Sequence, residues 1–214
     1  MIKTLRAVFI FFALMSVAGV ASAGGGDAKA GGPKSELCQG CHGADGMSVN
    51  PECPNLAGQK PGYIIKQLQD YINGKRHNDT MAPMAGLAGS FQDMKDIAAY
   101  FASQKTMTGK NYMLAPVPDN KKSIAQGKKL YLEGNPRTGL YGCVNCHGKD
   151  GKGKSQTNQV FPIVGGQHKE YLVRTLKEFR SAKRNNDPAN MMMDIAKKLT
   201  DAEIEAITDY LASL

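Results

Sequence analysis

An all-α protein, built as two tandem copies of one small helical unit, is the fold class that this 214-residue chain predicts. Three observations lead there. The run Cys38-Gln39-Gly40-Cys41-His42 returns as Cys143-Val144-Asn145-Cys146-His147. The residues downstream return with it, so the second half can be laid on the first, the mark of an internal repeat. Apolar residues recur at helical spacing in matched stretches of both halves, and no stretch alternates as a half-buried strand does.

Taken in order, the chain opens like a secretory signal. Lys3 and Arg6 form a basic start, Ala7 to Val20 is apolar but too short to span a bilayer, and Ala21-Ser22-Ala23 is a small-residue cleavage site. Residues 1–23 are therefore expected to be removed after export, which in a bacterium means to the periplasm. The well-formed cleavage site argues against an uncleaved anchor, and no later stretch is apolar enough to cross a membrane. Gly24 to Gly32 is glycine-rich and predicts a mobile lead. Ser35-Glu36-Leu37 then begins a short helix carrying Cys38 and Cys41. A second helix is predicted over Tyr63–Asn73, with Ile64, Leu68 and Tyr71 on one face, and its copy over Tyr171–Ala182, with Leu172, Leu176 and Phe179. A third is predicted over Phe91–Gln104 and Asp201–Ser213. Ser90-x-x-Asp93 and Thr200-x-x-Glu203 have capping-box form at its two starts. Its apolar faces are Met94, Ile97, Ala98 and Phe101 in one copy, and Ile204, Ile207 and Leu211 in the other.

The expected units are 24–106 and 121–214. A linker at 107–120, centred on Pro116-Val117-Pro118, would be extended and semi-stiff. The tract from Lys121-Lys122 to Lys128-Lys129 reads as a solvated linker face, with a basic patch for an acidic partner as the alternative. The formal charge of +8 says little about partners, because acidic groups on a cofactor would offset it. Trp is absent, and no phosphate-cradling loop or nucleic-acid motif is present, which disfavours nucleic acid as a partner.

C-x-x-C-H is the attachment signal for a c-type haem. Two thiols one helical turn apart each form a thioether with a vinyl group, and the adjacent histidine supplies an axial nitrogen to the iron. Cys38, Cys41, Cys143 and Cys146 are the expected attachment points, and His42 and His147 the proximal ligands. A redox dithiol or half a zinc site would account for one C-x-x-C, but not for two copies each followed by His-Gly. Sulfur on the sixth position raises the potential and suits electron transfer. Methionines cluster between the second and third helices of each unit, as Met81-Ala82-Pro83-Met84 and Met191-Met192-Met193. Met192 is the expected ligand in unit two. In unit one, counting back from Tyr100 leads to position 82, beside Met81, and counting forward from Arg76 favours Met84, so an insertion or deletion lies between. Met81 is preferred because Pro83 would hold its loop extended, and Met84 is the alternative. His77 and His168 lack histidine counterparts in the repeat and are expected to be exposed. The fifth cysteine, Cys53, stands where the second unit has Phe161. It reads as a small buried hydrophobe, or else as a haem ligand or a disulfide to a partner.

C-x-x-C-H-G-x-D-G at 38–46, P-x-L-A-G-Q-x-x-x-Y at 54–63, K-R-x-N-D at 75–79 and D-I-A-A-Y-F-A-S-Q at 96–104 resemble the dihaem cytochromes c of type four, the cytochrome c4 family. That resemblance covers nearly all of the chain after residue 23. It implies two tandem class I cytochrome c domains related by pseudo-twofold symmetry, with haem propionates near the interface. It also implies two covalent haem c groups, loose membrane association, and transfer of electrons from a respiratory donor, such as a quinol-oxidising complex or small redox protein, to an acceptor such as a terminal oxidase. Two departures are Cys53 in an aromatic position and Ala88-Gly89-Ser90-Phe91, where Leu-Ser-Asp is usual. The alternatives are the cytochrome subunit of a flavocytochrome or dehydrogenase complex, and a dihaem enzyme such as a peroxidase or thiosulfate dehydrogenase. No paired carboxylates or Ser/His constellation points to other catalysis.

Units of this size often need a staple, and the cofactor supplies a large apolar surface for the helices to cover. Replacing both cysteines of one motif by alanine should therefore strip much of that unit's helicity, read by circular dichroism. Full retention of helix would count against it.

Overall fold

Each unit has five helices in the same order in the structure, a computed structural model that describes residues 25–109, 120–155 and 158–214. Unit one holds α1 (Ala28–Lys34), α2 (Glu36–His42), α3 (Pro61–Ile72), α4 (Met81–Gly86) and α5 (Phe91–Ser103). Unit two holds α6 (Lys121–Glu133), α7 (Val144–His147), α8 (Lys169–Arg180), α9 (Met191–Ala196) and α10 (Asp201–Ala212). Among the described residues there is no strand, only a single bridge between Asn135 and Leu140. The signal segment and Pro116-Val117-Pro118 lie outside the described residues.

The periodic stretches form the expected helices. Both capping boxes are made: the Ser90 and Thr200 hydroxyls accept from the Asp93 and Glu203 amides, and each carboxylate accepts the cap residue's own N–H. Ile64, Leu68, Tyr71, Met94, Ile97, Ala98 and Phe101 form one core, and Leu172, Leu176, Ile204, Ile207 and Leu211 belong to the other.

Two expectations are corrected. The glycine-rich lead is helical from residue 28. Asp27 caps it, accepting from the Lys29 and Ala30 amides at 2.8 and 3.3 Å. The lysine tract is likewise not a linker face but α6, capped by Asn120 through the Ser123 amide. Its lysines are exposed while Gly127, Leu130 and Tyr131 are buried. In both cases the glycine that weakens helix propensity is there for packing. A Cβ at Gly31 would lie 2.0 Å from the Asp96 carbonyl oxygen of α5, and one at Gly127 would lie 1.8 Å from the Ala206 oxygen of α10. Close helix approach thus outweighs a propensity cost of about 1 kcal/mol. Polar ties secure each crossing. Lys34 reaches Asp93 at 2.7 Å and also Asp96. The Asp27 amide, first, and then Lys34 hold the Asp96 carboxyl down at about 2. On α10, Asp209 receives the Ser123 hydroxyl and Lys169.

The units meet through reciprocal contacts, the pattern of an isologous, twofold-related interface. Gln59 bonds to Ile163 while Gln167 bonds to Asn55. Arg76 bonds to Tyr171 while Arg184 bonds to Tyr63. The beginning of the expected linker is fixed to this body: Met107 is fully buried, its amide donates to Ala57, and its sulfur accepts from Gln167.

Gly127→Ala should destabilise the protein by about 1–3 kcal/mol, the usual cost of overpacking. Calorimetry should show this as a loss of several degrees in Tm.

Candidate haem sites

The motif residues are carried by α2 in unit one and by α7, a single turn, in unit two. In α2, Cys38 and Cys41 lie one turn apart and His42 is the last helical residue. Gly43 ends the helix at φ +83°, where a Cβ would meet the Met47 carbonyl oxygen at 2.2 Å. Cys143 caps α7, and Gly148 ends it at φ +76°. His42 and His147 are buried, and their Nδ1 atoms lie 2.8 Å from the Pro54 carbonyl oxygen and 2.9 Å from that of Pro162. A carbonyl only accepts, so Nδ1 carries the proton and Nε2 keeps its lone pair for a metal. Burial lowers the pKa of both imidazoles, which favours the neutral, ligating form. Cys38 and Cys143 pack against the cores of their own units. Burial raises both thiols, that of Cys143 to about 11. Among the described residues no cluster of His, Cys, Asp or Glu converges as a metal-ion site would require.

The methionine segments are helical too, which corrects the extended loop expected from Pro83. That proline is the third residue of α4, where its missing N–H has no partner to lose. The helices also set the register. Ala85 and Ala196 are fully buried, Ala88 and Leu199 are buried, and the closing bonds Leu87 to Met84 and Ala88 to Ala85 are matched by Lys198 to Ile195 and Leu199 to Ala196. Met81 thereby stands opposite Met192, and Met84 opposite Ile195. The Met81 amide donates to Asn78 Oδ1 at 2.8 Å and the Met192 amide to Asp187 Oδ2 at 2.7 Å. Both side chains pack against the core of their own unit. Two length changes explain why counting from the two ends disagrees. Unit two has an extra 3-10 turn, Pro188–Asn190, with Ala189 and Asn190 left-handed at φ 52° and 57°. Unit one has the extra Gly89 at φ +82°.

Between the units lie two buried guanidiniums. Arg76 donates to Gln67 Oε1 at 2.8 Å and to the Tyr171 hydroxyl at 3.2 Å. Arg184 donates to the Tyr63 hydroxyl at 3.0 Å, Gln67 Oε1 at 3.2 Å and Asn186 Oδ1 at 3.0 Å. None of these oxygens belongs to a carboxylate, although the effect of burial on the Tyr171 hydroxyl is outweighed by Arg76 and Arg184, which draw its pKa down to about 7. Buried cations are stabilised by compensating charge, so this cluster suits a cofactor that brings its own carboxylates, as haem propionates do. An Nε2 donor, paired thiols, a sulfur on the neighbouring helix and an arginine pair together fit haem.

Cys53 is half-buried beside Cys41, in the loop that holds His42. Its counterpart Phe161 packs edge-on to the His147 ring at 6.3 Å. Burial first, and then the Cys41 sulfur, raise its pKa. His77 is exposed as expected. His168 is not: it is 2 % exposed, with Nε2 3.1 Å from the Ser48 carbonyl oxygen across the interface. Its structural counterpart is Lys60, whose Nζ reaches the Ser155 carbonyl oxygen at 3.2 Å. Arg184 and Gln167 recur in unit two where unit one has Arg76 and Gln59. Their polar recurrence outside any helical face was the available signal.

The cytochrome c family profile matches residues 35–105 and 124–214. The chain is 42% identical over 189 residues to cytochrome c4 of Thiocapsa roseopersicina, covering 88% of this chain and 91% of that one. It is 33% identical over 183 residues to a thiosulfate dehydrogenase electron acceptor of Thiomonas intermedia, covering 85% and 80%. The crystal structure of reduced cytochrome c4 from Pseudomonas stutzeri superposes with a TM-score of 0.78 at 37% identity, covering 88% of this chain and 99% of that one.

With the four motif cysteines engaged, Cys53 should be the sole alkylatable thiol. One adduct by intact mass is expected, at a rate still climbing above pH 9 because its thiolate forms late. No adduct would mean that Cys53 is ligated or bridged.

Proposed function

We propose, from the premise that the chain belongs to the cytochrome c family and is a dihaem electron-transfer cytochrome rather than an enzyme, that it shuttles electrons in the periplasm between a respiratory donor and an acceptor such as a terminal oxidase. The cytochrome c profile matches twice and cytochromes c4 carry two covalently bound haem c groups, each of which supplies a one-electron iron couple. In this reading Cys38 and Cys41, and Cys143 and Cys146, anchor the two groups. His42 and His147 are the proximal ligands, Met81 and Met192 the distal ones, and Arg76 and Arg184 neutralise the propionates. The recurrence of a buried imidazole, Nδ1 on a proline carbonyl and Nε2 free, is the observation that carries the reading. The matched register of α4 and α9 supports Met81 over Met84. The Lys3, Arg6 and Ala21-Ser22-Ala23 pattern supports export with cleavage after residue 23.

A second reading concerns the donor. The match to a thiosulfate dehydrogenase electron acceptor, and a TM-score of 0.75 at 28% identity to the thiosulfate dehydrogenase TsdBA of Marichromatium purpuratum, covering 86% of this chain and 40% of that one, support a dehydrogenase as the source of electrons. The chain remains a carrier in either case.

Stopped-flow mixing of reduced protein with membranes of its own source should reoxidise both haems, and failure to do so would remove the oxidase as acceptor. Met81→Leu should abolish half of the ferric methionine-to-iron charge-transfer band while Met84→Leu leaves it whole. The opposite pattern would reassign the ligand.

A further inference from the structure

The proline carbonyl that receives each proximal histidine belongs to a peptide group whose other end is held by the opposite unit. In unit one, Pro54 contributes the oxygen that accepts from His42 Nδ1, and Asn55 contributes the N–H of the same planar peptide. That N–H donates to Gln167 Oε1 at 2.8 Å, and Gln167 Nε2 donates back to the Asn55 carbonyl oxygen at 3.0 Å. In unit two, the peptide joining Pro162 to Ile163 is treated alike. Its oxygen accepts from His147 at 2.9 Å, and its N–H donates to Gln59 Oε1 at 2.8 Å. Gln59 Nε2 donates to the Ile163 oxygen at 2.9 Å. Asn55, Gln59, Ile163 and Gln167 are all at most 5 % exposed, so water offers no substitute partner.

We propose that Gln59 and Gln167 are positioning residues that act across the interface, each setting the strength of the other unit's proximal ligand. The peptide is planar and resonance-coupled. A hydrogen bond at its N–H therefore polarises its oxygen, which strengthens the bond that oxygen makes to imidazole Nδ1. A stronger Nδ1 bond makes Nε2 a better donor, and that stabilises the ferric state. Rigid placement works in the same direction, because the peptide cannot turn while both Ile163 or Asn55 polar groups are clasped. The two clasps are unequal. Asn55 has additional bonds, Nδ2 to the Gly166 oxygen at 3.3 Å and Oδ1 from the Ser48 amide at 2.9 Å, whereas the Ile163 side chain has no polar atom. Gln59 is thus the more exposed test of the idea.

The proposal rests on both haems being attached, which intact mass establishes first. Fewer than two on the unaltered protein would sink that reading and this one together. On the dihaem protein, Gln59→Ala should raise the midpoint potential of the unit-two haem by roughly a threefold change in its reduction equilibrium, or about 30 mV at 59 mV per decade for one electron. The unit-one haem should stay in place. Gln167→Ala should do the converse. Each haem is followed through its own methyl resonances by NMR during redox titration. Gln59→Met, which keeps the volume and drops both bonds, should give the same crossed shift and covers the case in which alanine disturbs folding. A shift in the haem of the mutated unit, equal shifts in both, or no shift in either would overturn the proposal, since loosening the interface alone has no reason to cross.

Discussion

A neutral imidazole, buried and turned by a backbone carbonyl, is the constraint on which both halves of this protein depend. Burial removes the option of protonation, and the carbonyl removes the option of the other tautomer. What remains is one lone pair pointing one way. The surrounding architecture serves that arrangement: a glycine ends each haem helix immediately after the histidine, and the following loop returns to bring a proline oxygen within 2.9 Å. The two copies diverge in many side chains yet keep this geometry within about a tenth of an ångström of each other, because neither tautomer nor angle has slack.

The units are close copies in frame and freer in closure. Both pair their first and last helices so tightly that only glycine fits at the crossing, with a carbonyl oxygen about 2 Å from where a Cβ would sit. The methionine segment has been lengthened in one copy by a 3-10 turn and adjusted in the other by one glycine. These changes fall on either side of the methionine-bearing helix and leave its buried alanine in place. Insertions are tolerated in surface connections and resisted where a residue must reach a fixed point.

The interface is polar, buried and reciprocal. Two arginines face amide and phenol oxygens, and two glutamines clasp the backbone of the opposite unit. Groups this costly to desolvate need partners, and each glutamine finds one in the peptide whose oxygen receives the histidine of the opposite unit. The same interface makes the units unequal: Gln67 accepts from both arginines, and its counterpart Thr175 offers a shorter side chain.

Much of this was legible in the chain itself. The C-x-x-C-H motifs, helix periodicity and capping boxes are local patterns, in which a few neighbouring residues carry the whole physical requirement. The duplication was legible because it repeats such patterns in order. Helix α1 is hidden because its glycines read as flexibility, and α6 because its lysines read as a solvated linker; only the facing backbone explains the glycine in each. Pro83 was misread for the same reason, since a proline in a first helical turn and one in an extended loop have the same neighbours. Where the two small length changes fall is hidden in the sequence; the buried alanines Ala85 and Ala196 reveal it and set Met81 opposite Met192. His168 and the glutamine clasps depend on contacts more than 100 residues apart. Local chemistry determined what binds; the packing of one unit on the other decided how each site is held, because hydrogen bonds across an interface leave no trace in spacing.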